Sequence, residues 1–157
     1  MKKTKILFVC LGNICRSPAA ESIFKFMIDQ KGLNHLLEID SAGLNGYHNG
    51  EPADSRMIKE ASERGYKITS ISRKVDHLSD FKEFDMLIAM DDSNYDHLKR
   101  LATNPAARDK VYRMVDFDTK RRYSEVPDPY YGGREGFRRV LDILEDCSKG
   151  LIEYLKL

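Results

Sequence analysis

Four consecutive apolar residues, Ile6-Leu7-Phe8-Val9, run without a break into Cys10-Leu11-Gly12-Asn13-Ile14-Cys15-Arg16 and then into Ser17-Pro18. A short, continuous apolar run reads as a strand buried on both faces, the environment that a parallel sheet covered by helices on each side provides. Ser17 is a good helix N-cap and Pro18 suits the first helical position, so the glycine-containing loop is expected to pass directly into a helix. Strand, loop and helix in that order commit the start of the chain to an α/β architecture.

The same segment carries a chemical pattern. A helix N-terminus presents unpaired backbone N–H groups and the positive end of the macrodipole, both of which attract anions. Leu11, Gly12, Asn13, Ile14 and Cys15, together with Ser17, are therefore the expected phosphate-binding set, with Cys10 at the floor. Helix N-termini and adjacent cations bring a thiol from about 8.5 towards roughly 3.5–7.5, so Cys10 is expected to be a thiolate and a nucleophile. Arg16 offers a planar fork that holds two oxygens of a phosphoryl group as charge develops during transfer. The segment has neither the Gly-Lys-Ser/Thr ending of a nucleotide P-loop nor the three glycines of a dinucleotide turn. An isolated cysteine is more often a small buried hydrophobe, but strand, loop, cap and arginine together favour the reactive reading.

Cys10 to Ser17 resembles the signature loop of the low-molecular-weight protein tyrosine phosphatases. Asp128-Pro129-Tyr130-Tyr131, near the other end of the chain, is similar to that family's general-acid loop. Further similarities fall between the two, at Asp40-Ser41-Ala42-Gly43, Pro52-Ala53-Asp54-Ser55-Arg56 and Met90-Asp91-Asp92-Ser93-Asn94, so the resemblance covers essentially the whole chain. It implies a doubly wound, four-stranded parallel sheet with helices on both faces and a phosphate-binding loop after the first strand. It also implies phosphotyrosine hydrolysis through a phosphocysteine, with Cys10 as nucleophile, Arg16 binding the transferring group and Asp128 acting as acid, then base.

The chain's 157 residues suit one domain, 1–157, and are short for two. Twenty-six Lys and Arg against 25 Asp and Glu leave a formal charge of +1, so no whole-molecule field draws it to nucleic acid or to an anionic membrane. The apolar run after Met1-Lys2-Lys3 ends at Gly12-Asn13, too early for a signal peptide, and no later stretch has the length of a membrane span. Three cysteines, two of them in the loop, do not make a disulfide framework. A cytoplasmic protein is expected, monomeric or weakly self-associating, whose partner is a phosphotyrosine protein or peptide. His35, His48, His77 and His97 have no metal-ligand spacing, and no metal or other cofactor is expected.

Leu37 to Asp40, Met86 to Met90 and Val111 to Met114 are expected as companion strands to Ile6–Val9. Helices are expected where Ala20, Ile23, Phe24, Met27 and Ile28 share a face, from Asp54 to about Arg64, and from Asp91 or Asp92 through Leu101. A long terminal helix should carry Phe137, Val140, Leu141, Leu144, Leu151, Ile152 and Leu155. Cys147 falls on its apolar face and reads as packing. Ligands bind at the C-terminal ends of such strands, where Cys10 lies. From Asp116 to Gly133 there is no usable periodicity, and loops of that length are usually functional; the cluster Lys120-Arg121-Arg122 in it reads as a solvated face.

Asp128, flanked by Pro127 and Pro129, has a stiff local backbone that restricts where its carboxyl points. The resemblance makes Tyr47, Tyr130 and Tyr131 aromatic walls for a substrate ring, and Asn13, Ser17 and Ser41 braces of the loop. It implies that Cys15 can form a disulfide with Cys10 under oxidation. One departure stands out: many relatives have a histidine three residues before the arginine matching Arg73, and this chain has Ser70, so a smaller or water-completed network around Asn13 and a more mobile loop are expected. Two rival readings remain. A thioredoxin-coupled arsenate reductase needs a downstream cysteine pair, and none lies between Cys15 and Cys147. An idle phosphotyrosine-binding module is expected to lose Cys10, Arg16 or Asp128, and all three are present.

Overall fold

The computed structural model describes residues 2–157. Four strands, β1 (Thr4–Cys10), β2 (Leu37–Gly43), β3 (Met86–Ala89) and β4 (Val111–Arg113), form one parallel sheet in the order β2-β1-β3-β4. Six α-helices accompany them: α1 (Arg16–Gln30), α2 (Ser55–Glu63), α3 (Ser79–Glu83), α4 (Asp92–Leu101), α5 (Pro105–Arg108) and α6 (Gly133–Leu155). Two 3₁₀ turns, Asn34–Leu36 and Met114–Phe117, complete the set. The four expected strands and four longer helices are all present. The five-residue α3 and four-residue α5 went unread, because so few residues show no period.

The apolar run at the start explains the layering. Ile6 and Phe8 face one core with Ile23 and Phe24 of α1 and Phe137, Leu141 and Leu144 of α6; Leu7 and Val9 face a second core with Phe81, Leu87, Leu98 and Val111. All four residues of the run are fully buried, as alternate faces of a doubly covered strand must be. Cys147 is buried in the first core. Among the described residues, no helix is long and apolar enough to cross a membrane.

The parallel register brings Cys10, the last residue of β1, level with Gly43, the last of β2. A Cβ on Gly43 would stand 3.0–3.1 Å from Gly12 and Asn13, so a larger residue there would push the loop after β1 back by a few tenths of an ångström. A second close approach fixes α6, where a Cβ on Gly150 would overlap the carbonyl of Phe117.

The helix start differs from the expectation. α1 begins at Arg16 with Cys15 at the N-cap position and no side-chain cap, so Ser17 is its second residue and Pro18 its third. The Ser17 hydroxyl is engaged elsewhere, with Cys10 and Asn13, and Pro18 still costs no helical bond because the third N–H of a helix has no internal acceptor.

Candidate active site

The carbonyls of Cys10, Leu11, Gly12, Ile14 and Cys15 each find a donor. The Leu44 N–H donates to Cys10 and Leu11, the Asn45 N–H to Leu11, the Ser72 hydroxyl to Gly12 at 3.0 Å, the Asp54 N–H to Ile14 at 2.8 Å and the Ala19 N–H to Cys15. Among the described residues, no amide N–H of Leu11 to Cys15 donates to another protein group. Five successive donors therefore remain for an anion, at the uncapped start of α1.

Asn13 holds this shape. It adopts φ +58°, which few non-glycine residues tolerate, and its buried amide makes three hydrogen bonds. Nδ2 donates to Ser17 Oγ at 2.8 Å and Ser41 Oγ at 3.0 Å, while Oδ1 accepts from the Arg73 N–H at 3.1 Å. Ser41, accepting from Asn13, donates its own hydroxyl to Glu21 Oε1 at 2.6 Å. Ser17 likewise accepts from Asn13, which leaves its one proton to be shared between Cys10 Sγ, 3.0 Å away, and the Ala42 carbonyl at 3.4 Å. The deficit expected from Ser70 does not appear. The backbone of Arg73 and the hydroxyl of Ser72, two residues beyond Ser70, supply the brace instead.

Arg16 is 3% exposed. Its Nη1 donates to Asp91 Oδ2 at 2.6 Å and to the Val126 carbonyl at 3.0 Å, while Nη2 lies 3.9 Å from Asp128 Oδ2. Burial opposes its charge, but Cys10, Asp91 and Asp128 outweigh that and hold its pKa above the ordinary value. Asp91 also caps α4, its Oδ1 accepting from the Asn94 N–H at 2.7 Å. In the sequence, Asp91 signals only a helix start and a point of resemblance.

Val126, fully buried, fixes the acid-bearing segment to the sheet: its N–H donates to the Met90 carbonyl at 2.8 Å, and its carbonyl receives Arg16. Two residues on, Asp128 is half exposed; Oδ1 accepts from the Tyr130 N–H at 3.1 Å, and Oδ2 faces Arg16. The two remaining cysteines are held as thiols. Burial first, then the charges of Asp54, Cys10 and Asp128, push Cys15 far above the usual thiol range, and burial with Asp118 and Asp146 pushes Cys147 up to about 12.

Cys10, Leu11, Gly12, Ile14, Cys15, Arg16, Tyr47, Asp128, Tyr130 and Tyr131 line one cleft of about 270 Å³. Asn13 and Ser17 lie behind it. Tyr47 and Tyr131 are posts at the mouth rather than deep walls, 87% and 94% exposed, with the ring of Tyr131 set edge-on to Tyr130 at 5.0 Å. Asn45 and His48 also line the cleft and carried no sequence signal; the His48 ring lies beside Gly12 and bonds Glu51 at 2.6 Å. A larger hollow of about 480 Å³ between α1 and β2 contains neither a cysteine nor an arginine. Among the described residues, no cluster of three or more His, Cys, Asp or Glu side chains could hold a metal.

Comparison with known proteins adds a family. Residues 5–157 match the model of the low molecular weight phosphotyrosine protein phosphatases. The chain is 47% identical over 153 residues to a putative low molecular weight protein-tyrosine-phosphatase of Synechocystis, covering 96% of each. A protein tyrosine phosphatase from Entamoeba histolytica, crystallised with Hepes in its active site, superposes with a TM-score of 0.94 at 51% identity, covering 98% of this chain and 97% of that one. An arginine phosphatase from Drosophila superposes with a TM-score of 0.91 at 29% identity, over 98% and 99% of the two chains.

Proposed function

The chain belongs to the low molecular weight phosphotyrosine protein phosphatase family, and from that premise we propose that it hydrolyses phosphotyrosine and other aryl phosphates through a phosphocysteine on Cys10. The observation that carries this reading is the cleft itself, which Cys10, Arg16 and Asp128 line together, with the N–H groups of Leu11 to Cys15 left without a protein acceptor and the Oδ2 of Asp128 without a hydrogen bond among the described residues.

In the first step Cys10 Sγ attacks phosphorus as the bond to the phenolic oxygen breaks, and Asp128, entering protonated, gives its proton to that oxygen. Arg16 and the amides hold the three equatorial oxygens, where charge is spread during transfer. In the second step the Asp128 carboxylate takes a proton from a water molecule that attacks the phosphocysteine; phosphate leaves and the Cys10 thiolate returns. Asp91 and Val126 fix Arg16 so that its fork need not reorganise.

Depth supports an aryl substrate. Cys10 is 3% exposed, so a short phosphoserine reaches it poorly, whereas a phenol spans the distance to the tyrosines at the mouth. A guanidinium substrate is disfavoured because Asp128 is the one carboxylate among the described residues lining the cleft, and Leu11 and Ile14 make its sides apolar. The arsenate reductase alternative needs a second exchangeable thiol pair, and Cys147 is fully buried in α6. We further propose one domain across 1–157, a cytoplasmic protein acting on phosphotyrosine proteins as a monomer or weak self-associate, and reversible inactivation by peroxide through a Cys10–Cys15 disulfide.

The test compares hydrolysis of phenyl phosphate and phosphotyrosine peptide with that of phosphoserine and phosphoarginine peptides, beside arsenate reduction with thioredoxin. Aryl phosphates are expected to be preferred and arsenate to be left unreduced. Faster turnover of phosphoarginine, or thioredoxin-dependent arsenate reduction, would reverse the assignment.

A further inference from the structure

The acid-bearing segment is tied to the phosphate loop by one side chain outside the chemistry. Arg56, in the first turn of α2, folds its fork back onto the N-cap carboxylate, with Nε donating to Asp54 Oδ1 at 3.0 Å and Nη2 to Oδ2 at 2.8 Å. Its remaining nitrogen, Nη1, donates to the Tyr130 carbonyl at 3.0 Å. The guanidinium also lies over two rings, 5.1 Å from the centroid of Tyr130 and 4.8 Å from that of Phe137 in α6.

Both ends of this link reach the reacting groups. Asp54 is anchored to the phosphate loop, its N–H donating to the Ile14 carbonyl at 2.8 Å. Tyr130, whose carbonyl Arg56 holds, gives its own N–H to Asp128 Oδ1. A continuous path of hydrogen bonds therefore runs from Ile14 through Asp54, Arg56 and Tyr130 to Asp128. The Asp128 carboxyl needs it: half exposed, it has no other hydrogen bond among the described residues and stands 3.9 Å from Arg16.

We propose that Arg56 is a positioning residue that sets the reach of Asp128 over the phosphate loop, so that proton delivery to the leaving group depends on it while anion binding does not. The inference rests on the function proposed above. A planar fork suits the task, because two nitrogens grip Asp54 while the third reaches across to Tyr130. Lysine offers a single charged point and cannot do both.

The experiment measures kcat/KM for a series of aryl phosphates in wild type, Arg56→Ala, Arg56→Lys, Asp128→Asn and the double variant Arg56→Ala/Asp128→Asn. Arg56→Ala is expected to lose roughly 10-fold on phenyl phosphate, inside the ~10²-fold that a misplacement of about 1 Å can cost. On a dinitrophenyl phosphate, whose leaving group needs no proton, the change should stay below about 2-fold. Competitive inhibition by inorganic phosphate should be unchanged. In the Asp128→Asn background the Arg56 change should add less than about 2-fold, since both act on one proton transfer. Arg56→Lys, which keeps a cation near Tyr130 and Phe137, should fall between with the same leaving-group dependence, and it carries the test if Arg56→Ala does not fold. An equal loss on every substrate, or full additivity with Asp128→Asn, overturns the positioning role. If the wild type hydrolyses no aryl phosphate, the proposed function fails and this inference with it; if it does, and Arg56→Ala and Arg56→Lys match it throughout, this inference alone fails.

Discussion

The two segments that meet over the cleft are built by opposite means. The phosphate loop, 10–16, is mostly buried, its carbonyls are tied from four directions, and Asn13 at φ +58° is locked by three hydrogen bonds. The acid segment, 126–132, is anchored at Val126, gripped at Tyr130 and turned by the Gly132 N–H on the Pro129 carbonyl, while Asp128 and both tyrosines remain exposed. Binding a developing metaphosphate rewards fixed donors that need no reorganisation. In the proposed mechanism the proton donor later becomes a base and meets first a phenol and then a water, and a half-exposed carboxyl on a short tether suits both.

If this division of labour holds, damage to each segment should read out differently. Cys10→Ser should have the largest effect, removing turnover while phosphate and vanadate still bind, because the amides and Arg16 survive; isothermal titration beside an activity assay checks both halves. Asp128→Asn should follow, slowing hydrolysis of high-pKa phenols by roughly 10²–10⁴ and good leaving groups much less. A uniform loss across a leaving-group series would dissolve the distinction between floor and donor.

Asn13→Ala should weaken the floor itself. Three hydrogen bonds are lost and the left-handed backbone becomes costlier, so about 2–4 kcal/mol of stability should go, together with phosphate affinity. Denaturant unfolding and phosphate titration measure these, and unchanged phosphate affinity would mean that the carbonyl ties suffice. Ser70→His should have the smallest effect. The Asn13 amide is already satisfied, so hydrogen exchange at Leu11 to Cys15 should match wild type; stronger protection in the variant would show that a brace is missing after all.

The same contrast sorts what the sequence made legible. Strand β1 was readable because every residue from Ile6 to Val9 is buried, and the loop because cysteine, glycine and arginine lie within seven positions. Ser17 reads as a cap because a serine before a proline looks alike whether its hydroxyl serves the helix or a thiol beside it in space. Asp91 advertised its capping role, a local matter, but not its bond to Arg16, 75 residues away in sequence. Ser72 and Arg56 were hidden for the same reason: their partners, Gly12 and Tyr130, are 60 and 74 residues distant. The brace predicted to be weak at Ser70 was supplied by a neighbour, which no single position could reveal.

The most direct test is to trap the covalent intermediate. Asp128→Asn, mixed rapidly with a dinitrophenyl phosphate and quenched in acid, should carry one phosphoryl group per chain, and peptide mapping should find it on Cys10. The substrate forms the intermediate without a proton donor, and the missing base slows its hydrolysis. A phosphoryl group on any other residue, or release of phosphate with no burst of phenol and no labelled chain, would contradict the account.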